Sequence, residues 1–471
     1  MNIIMIMSDE HSFSAMRCAG NNVVKTPNLD RLAQISNHFT NAYTTCPVCA
    51  PARASWFTGQ YVNRIGTWDN STPYDGTVPG ISTYLKEFGV PTYHFGKTHF
   101  HHEGDYQFED GDLFGYMGRP DVGCYFRDQR VGRINAEKRF EKIGLKEKTS
   151  FDDRVTELAI NWLKENRDKE EPWLLNVGLL DPHFPFYVKE ENWNYFNELI
   201  KEIPKGTLPP YTSLIEPLEH LRTYFKAHVA NEEIIRRVFV GYYAALLELD
   251  EKIGRFLDVL DELSIADNTA IIYTSDHGEQ MGYHGLWWKC CMFEHSAHIP
   301  LMIRIPGIEA KEVSHPVTLV DIFPTICDMI DIERPNNISG ESLMPLMQKG
   351  KDTEKRDFAF SEYHAHGMPV GMFMIRWDKY KYVHYTQWTE QLFDLEQDPE
   401  EDYDLAPKES EDETIKKVLE EGRKRLYTVC NPEEVDARAK EYQRRMKKAL
   451  GLENGYFEEK GNWVPHPENV L

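Results

Sequence analysis

Four short apolar runs in the chain end abruptly in polar residues. They cover residues 2–7, 91–95, 173–180 and 270–274, and acids, histidines or a lysine follow each one. Apolar runs without alternation are typical of strands that are buried on both faces of a parallel sheet. Because open parallel sheets bind ligands beyond the carboxyl ends of their strands, the four polar segments are predicted to converge on one crevice.

Segments with helical periodicity separate these runs. Residues 154–165 and 236–263 are long amphipathic stretches. A shorter helix is predicted over residues 26–33, where Thr26 is the expected cap and Pro27 occupies the first turn. Strands that alternate with helices indicate an α/β fold with a large, mostly parallel central sheet flanked by helices.

The pattern changes after about residue 350. Residues 358–394 contain short aromatic runs that resemble strands, and charged helical segments follow. We therefore expect an α/β domain over residues 1–350 and a smaller C-terminal subdomain over residues 356–471. The subdomain is predicted to contain an antiparallel sheet, helices and an aromatic tail over residues 453–471, through which the chain is expected to form a homo-oligomer.

Composition limits the classes of function. The 471 residues include 53 Lys and Arg against 76 Asp and Glu, which gives a formal net charge of −23. This acidic balance disfavours binding to a nucleic-acid backbone, which requires a basic surface. There is no run of about 18 apolar residues and no signal-peptide pattern. We therefore expect a cytoplasmic protein with no nucleic-acid or membrane partner, in which the eight cysteines are thiols.

The segment that begins at Cys49 is the most specific one chemically. Cys49 precedes a predicted helix over residues 52–57, and a helix N-terminus lowers the pKa of a thiol and binds anions. A buried structural cysteine is the alternative interpretation. Cys46 and Cys49 also have the spacing of a thioredoxin-type redox pair. The residues of this segment leave all three interpretations open.

Several blocks of the chain resemble one family. Cys49-Ala50-Pro51-Ala52-Arg53, followed by Thr58-Gly59, resembles the signature of the formylglycine-dependent sulfatases, which belong to the alkaline phosphatase superfamily. Further blocks match this family in the expected order, at residues 26–33, 96–99, 274–279, 289, 320–325 and 392–400. Residues 68–70 and 293–297 are most similar to choline-sulfatase-like members and to phosphonate monoester hydrolases. The chain is identified as a member of the sulfatase family.

The resemblance implies a divalent-metal site. Its expected ligands are Asp9, Glu10, Cys49 in modified form, Asp276 and His277. Mostly oxygen ligands favour Ca²⁺, and Mn²⁺, Mg²⁺ or Zn²⁺ are the alternatives. Glu10 departs from the family pattern, which has Asp or Gln at this position. A separate metal site at His94, His99, His101 and His102 is a lesser alternative.

The resemblance also implies the nucleophile. A maturation enzyme would convert Cys49 to Cα-formylglycine. One hydroxyl of the hydrated aldehyde attacks sulfur, and the second allows sulfate to be expelled. A tetrahedral dianionic transition state needs positive charge placed in advance. By resemblance, Arg53 and Lys97 orient the hydrate and Lys289 contacts the sulfate.

Two histidines complete the expected catalytic set. By resemblance, His183 with Lys289 protonates the leaving oxygen, and His99 takes a proton from the second hydroxyl. Asn70, His183 and Lys289 are the expected substrate contacts.

These residues predict a sulfatase that hydrolyses a sulfate ester of a small organic molecule or carbohydrate. A phosphonate monoester or phosphodiester hydrolase with the same site is the first alternative, since tetrahedral sulfate and phosphate esters are similar. A non-catalytic binding protein with unmodified Cys49 is the second. Arg53, Lys97 and Lys289 would form a positive crevice in an acidic protein, so the net charge limits the size of the substrate rather than its sign.

Overall fold

Helices and strands alternate along most of the chain. The computed structural model describes residues 1–114, 122–127, 137–146, 150–209, 211, 214–349, 356–452, 455–457 and 463–465. The strands are β1 (Asn2–Asp9), β2 (Asn37–Phe39), β3 (Ala42–Tyr43), β4 (Thr92–Lys97), β5 (Asp110–Phe114), β6 (Ile143–Leu145), β7 (Leu174–Pro182), β8 (Phe186–Val188), β9 (Thr269–Ser275), β10 (Leu301–Arg304), β11 (Lys311–Val313), β12 (Val317–Thr318), β13 (Phe358–Tyr363), β14 (Met372–Trp377), β15 (Tyr380–Tyr385), β16 (Gln391–Asp394), β17 (Gly455–Phe457) and β18 (Trp463–Pro465). The α-helices are α1 (Pro27–Gln34), α2 (Cys49–Thr58), α3 (Val62–Ile65), α4 (Ile81–Glu87), α5 (Phe151–Asn166), α6 (Glu190–Leu199), α7 (Glu216–Tyr224), α8 (Glu232–Glu262), α9 (Glu294–Ala297), α10 (Ile322–Met329), α11 (Met344–Lys349), α12 (Glu413–Val429) and α13 (Pro432–Ala449).

A large sheet occupies the centre of the N-terminal part. Its eight strands have the order β11-β2-β10-β9-β1-β7-β4-β5. The neighbours from β9 to β5 run parallel, β11 pairs parallel with β2, and β10 pairs antiparallel with β9 and β2. Strands β9, β1, β7 and β4 correspond to the four predicted apolar runs and lie side by side. The predicted large, mostly parallel sheet is therefore confirmed.

The central sheet has a hydrophobic core on each face. Every residue of β1 is buried. Ile4 and Ile6 pack with residues of α1, α5 and α8, whereas Ile3 and Met5 pack with residues of α2, α4 and α10. Burial on both faces is the reason that β1 shows no alternation of apolar and polar residues.

Helix α1 begins at Pro27 as predicted, but its predicted cap is wrong. Thr26 Oγ1 accepts a hydrogen bond from the Arg17 amide at 3.1 Å. The first amides of α1, those of Asn28 and Leu29, donate instead to Asp250 Oδ1 of α8, at 3.0 and 2.7 Å. A carboxylate from a distant helix thus satisfies the helix N-terminus in place of the local threonine.

The C-terminal part contains the predicted small antiparallel sheet. Its order is β13-β14-β15-β16, with every pairing antiparallel. Helix α12 lies close against this sheet, since a Cβ at Gly422 would be 2.8 Å from Tyr382. Glu362 of β13 joins this sheet to the N-terminal part, because its Oε1 accepts from the Asn63 amide at 2.8 Å. The predicted domain boundary falls within residues 350–355, outside the described residues.

Among the described residues, no helix combines the length and the apolar character that crossing a membrane requires. The 31 residues of α8 include many charged side chains. Its apolar positions contribute to the core beneath β1 and β7.

Strands β4 and β7 approach unusually closely where Gly96 pairs with Gly178. A Cβ at Gly96 would lie 2.1 Å from the Gly178 carbonyl oxygen, and its φ is +100°. We expect Gly96→Ala to lower the free energy of unfolding by about 2–4 kcal/mol in urea titrations, because both the contact and the backbone conformation disfavour a side chain. Gly144→Ala is the control, since no atom lies within 4 Å of its added Cβ. Equal stability of the two variants would contradict this account.

Candidate active site

Polar residues from four neighbouring strands meet at one edge of the central sheet. Strands β1, β4, β7 and β9 present their carboxyl ends there, in the parallel arrangement that places ligand sites in open α/β sheets. The residues at or just after these ends are Asp9, Glu10, Lys97, His99, His183, Asp276 and His277. The predicted convergence of the four segments is therefore observed.

Helix α2 brings Cys49 to this edge. Cys49 is its first residue, after Val48 at the N-cap, and every residue of the helix is buried. The Ala50 amide donates to Asn70 Oδ1 at 3.0 Å. Asn70 thus satisfies one of the free amides in the first turn and fixes the end of the helix beside the site.

Four donor groups surround one point. Cys49 Sγ lies 3.2 Å from His277 Nε2 and 3.8 Å from Asp9 Oδ1. His277 Nε2 lies 3.6 Å from Asp276 Oδ1. Donor atoms of all four residues lie within 4.8 Å of one another, and all four residues are buried. Two carboxylates, an imidazole and the side chain of residue 49 form a donor set that suits a divalent cation.

Glu10 lies outside this four-donor group. Its carboxylate belongs to a second group, with Asp9 and His183, whose donor atoms also lie within 4.8 Å of one another and could hold a metal ion. Lys289 Nζ donates to Glu10 Oε2 at 3.1 Å and to His183 Nε2 at 2.8 Å. Burial raises the pKa of Glu10 to about 7, although His183 and Lys289 oppose the shift. The buried Glu10 carboxylate therefore pairs with Lys289.

Two buried cations hold the acids of the four-donor group in place. Arg53 Nε donates to Asp276 Oδ2 at 2.8 Å, and its Nη2 donates to Asp9 Oδ2 at 3.4 Å. Lys97 Nζ also bonds to Asp9 Oδ2. Burial and the nearby Cys49 raise the pKa of Asp9, but Lys97, His183 and Arg53 outweigh them and hold it below its usual value. Asp9 consequently remains ionised.

The same surroundings favour negative charge at residue 49. Burial raises the pKa of the Cys49 thiol, but Lys289, Lys97 and His277 outweigh burial and bring it well below its usual value. Burial lowers the pKa of His99, against the effect of its hydrogen bond with Cys49. An anion at position 49 therefore lies beside a histidine that is neutral near pH 7.

Two alternatives from the sequence analysis gain no support from the geometry. They are a redox pair at Cys46 and Cys49 and a metal site that includes His94. Cys46 and Cys49 are free thiols, and burial raises the pKa of Cys46 well above its usual value. The ring nitrogens of His94 bond to Asn176 Nδ2 at 2.7 Å and to the Gly96 carbonyl at 3.1 Å. His94 is therefore part of the packing between β4 and β7.

Glu279 supports the site in a way that the sequence analysis missed. Its Oε1 accepts from the Met281 amide at 2.9 Å and from the Trp288 amide at 2.7 Å. This buried carboxylate ties together the two ends of the loop that precedes Lys289. The only sequence signal for this role is that Glu279, a charged residue, precedes a loop that contains glycine and tryptophan residues.

Comparisons with known proteins agree with this arrangement. The family model described as Sulfatase matches residues 1–332, which is most of the chain. The protein belongs to the sulfatase family. A second model, described as N-sulphoglucosamine sulphohydrolase, C-terminal, matches residues 282–428 of this sulfatase. The protein is therefore a sulfuric ester hydrolase.

Individual relatives span most of the chain. The sulfatase is 32% identical to a choline-sulfatase of Rhizobium meliloti (strain 1021), over 86% of this chain and 82% of that protein. It is 31% identical to arylsulfatase K of Canis lupus familiaris, over 86% and 79% of the two chains.

Solved structures have the same fold. The structure of BT4656 with its substrate D-glucosamine-2-N,6-O-disulfate is similar with a TM-score of 0.73 and 25% identity, over 92% of this chain and 99% of that chain. A phosphonate monoester hydrolase of Agrobacterium radiobacter gives a TM-score of 0.72 at 23% identity, over 99% of both chains. The second likeness shows the fold alone. Together these structures confirm the predicted fold class.

The buried ion pairs of Arg53 predict a large effect on stability. The side chains of Arg53 and Asp276 are 3% and 0% exposed. We expect Arg53→Ala to lower the free energy of unfolding of the metal-free protein by about 3–5 kcal/mol, because it leaves buried carboxylates short of a cation. Arg31→Ala is the control, since Arg31 pairs with Asp258 on the surface, and it should change stability little. Similar losses in both variants, measured by chemical denaturation, would contradict the assigned role.

Proposed function

We propose that this sulfatase hydrolyses the sulfate ester of a small organic molecule or carbohydrate with Cα-formylglycine at position 49 and a bound divalent cation. One observation carries the proposal: the side chain of Cys49 lies among Asp9, Asp276 and His277. The proposed nucleophile thus lies within a buried group of metal-binding donors, and positively charged side chains surround this group. Membership of the sulfatase family supports this use of the site.

The donor set fits the proposed metal. Asp9, Asp276 and His277 would hold the ion together with an oxygen of the modified residue 49, for which Cys49 Sγ stands in. The carboxylates favour Ca²⁺, while the imidazole also suits Mn²⁺ or Zn²⁺, and Mg²⁺ is a further alternative. Such an ion supplies positive charge beside the reacting oxygens.

Residue 49 and its neighbours are proposed to carry the nucleophilic chemistry. One hydroxyl of hydrated formylglycine would attack sulfur, and the alcohol would leave. Loss of the proton from the second hydroxyl would then re-form the aldehyde C=O and break the C–O bond to sulfate, which is expelled. Arg53 and Lys97 orient the hydrate and keep this region positive. His99 is the proposed base for the second hydroxyl, because burial keeps its imidazole unprotonated near pH 7.

We propose that the leaving group of the ester lies on the side of the site that contains Lys289 and His183. Lys289 Nζ lies 2.8 Å from His183 Nε2. The other ring nitrogen, Nδ1, carries the proton and donates to the Phe184 carbonyl. This contact leaves Nε2 facing Lys289 Nζ and Glu10 Oε2, which lies 3.1 Å away. We propose that Lys289 binds the sulfate and, with His183, protonates the departing oxygen. Asn70 is the third proposed substrate contact, through Nδ2, because Oδ1 accepts from Ala50.

Other parts of the expected biology remain proposals. They are the division into residues 1–350 and 356–471, a maturation enzyme that acts on Cys49, a homo-oligomer formed through the tail, and a cytoplasmic location. Most of the tail from residue 453 lies outside the described residues. Hydrolysis of phosphonate esters has no separate observation in its favour, since the likeness to a phosphonate monoester hydrolase is limited to the fold.

The nucleophile is tested by the mass and the turnover of residue 49. In protein made with the maturation enzyme, we expect the peptide that contains Cys49 to be about 18 Da lighter than the thiol form. Cys49→Ala should reduce turnover of 4-nitrophenyl sulfate by roughly a thousandfold or more, with the fold intact by circular dichroism. Retained turnover would exclude covalent catalysis by residue 49. An unmodified mass in active protein would exclude the aldehyde.

A matched substrate pair controls for the type of ester. The aldehyde-bearing enzyme should favour the aryl sulfate over the corresponding aryl phosphonate monoester in kcat/KM. A preference of about tenfold for the phosphonate would replace the sulfatase proposal with the phosphonate hydrolase alternative.

Metal content distinguishes the two acidic clusters. Chelation should abolish turnover, and added Ca²⁺ should restore it. We expect Asp276→Ala to lose bound metal in elemental analysis, because it removes a donor from the four-donor group. Glu10→Gln is the matched control and should retain metal, since Glu10 pairs with Lys289. Loss of metal in Glu10→Gln would make Glu10 a ligand.

A further inference from the structure

The aromatic ring of Phe184 lies between the His183 ring and the Arg139 guanidinium group. The Phe184 and His183 rings are stacked, with centres 4.4 Å apart and planes inclined at 27°. The Arg139 guanidinium carbon lies over the Phe184 ring, 4.3 Å from its centre. Stacking and cation–π contacts both depend on orientation, so the two neighbours together fix the plane of the Phe184 ring.

Phe184 also contacts the segment that carries Lys289. Its ring centre lies 5.8 Å from that of Trp288, with the planes inclined at 60°, and 5.4 Å from Lys289 Nζ. Trp288 is buried, and its amide donates to Glu279 Oε1 at 2.7 Å. The Phe184 ring therefore links the segment that contains His183 to the segment that contains Lys289.

Two kinds of contact orient the His183 ring. Its hydrogen-bonding contacts lie at the ring edge, where Nδ1 bonds to the Phe184 carbonyl and Nε2 lies 2.8 Å from Lys289 Nζ. The Phe184 side chain instead covers a face of the imidazole. Contacts at the edge leave the ring free to tilt about the line that joins them, whereas stacking on a face opposes that tilt. The Phe184 ring therefore keeps Nε2 directed at Lys289.

We propose that Phe184 is a positioning residue that holds His183 Nε2 against Lys289 Nζ, so that this pair can protonate the departing oxygen. The inference rests on the proposed function. In that step a hydroxyl oxygen of residue 49 bonds to sulfur, and the ester S–O bond breaks with its electron pair on the alcohol oxygen. This oxygen takes a proton from the pair, and it needs the proton most when the alcohol is a weak acid. Phe184 is therefore most important for esters of weakly acidic alcohols, such as sugars.

Two aryl sulfates that differ in the acidity of the released phenol test the proposal. 4-Nitrophenol is the stronger acid, so its sulfate needs less proton transfer than phenyl sulfate. For the aldehyde-bearing enzyme, we expect Phe184→Leu to lower kcat/KM for phenyl sulfate by about tenfold and that for 4-nitrophenyl sulfate by less than about threefold. A role in packing alone would lower both values by the same factor.

Three control variants separate the ring from its volume and from the type of substitution. Phe184→Met removes the ring but is long enough to fill much of its space, and it should give the same ratio of the two kcat/KM values as Phe184→Leu. Phe184→Tyr keeps a ring and should retain the wild-type ratio. Phe88→Leu makes the same change at a residue that is 44% exposed, and it should leave both values unchanged.

His183→Ala provides the reference for loss of proton transfer. It should lower kcat/KM for phenyl sulfate by about a hundredfold and that for 4-nitrophenyl sulfate much less, and adding Phe184→Leu should not change the ratio further. Equal effects on the two esters in Phe184→Leu, or a further change of ratio in the double variant, would overturn the inference and leave the proposed function intact. An unchanged ratio in His183→Ala would overturn the proposed role of His183 and the inference with it.

Discussion

The pairing of Arg53 and Lys97 with Asp9 and Asp276 is the interaction on which the site depends. Each of these side chains is almost fully buried. Buried charges are tolerated only when they are paired and hydrogen-bonded, so the four groups must form together. Because they come from α2, β4, β1 and the end of β9, the ion pairs lock one helix and three strands into a single geometry around residue 49.

A second ion pair lies on the side of the site that contains His183. Lys289 pairs with Glu10, and both contact His183. Asp9, Asp276 and His277 form the four-donor group with Cys49. Glu10 thus places a carboxylate beside the Lys289 ammonium group and the His183 ring. Asp9 belongs to both groups of donors, whereas Asp276 belongs only to the group with Cys49 and Glu10 only to the group with His183.

The fold was predictable wherever local pattern and tertiary packing agree. The buried runs that became β1, β4, β7 and β9 are apolar along their whole length, because the sheet is covered on both faces. The predicted cap of α1 is wrong because the first amides of this helix donate to the Asp250 carboxylate, which lies more than two hundred residues away in the sequence. Local propensity carries no information about such a partner.

The sequence by itself determined the family, the class of fold and the residue types that meet at the site. The motifs are short contiguous segments in a fixed order along the chain, so they can be recognised without a structure. Only the tertiary structure decided which acid joins which cation, namely Glu10 with Lys289 and Asp276 with Arg53. The same holds for Glu279, which accepts from the Trp288 amide just before Lys289. It also placed Arg139 on Phe184 and Trp288. Pairing depends on distances of a few ångströms between side chains on different elements, and these distances are set by packing.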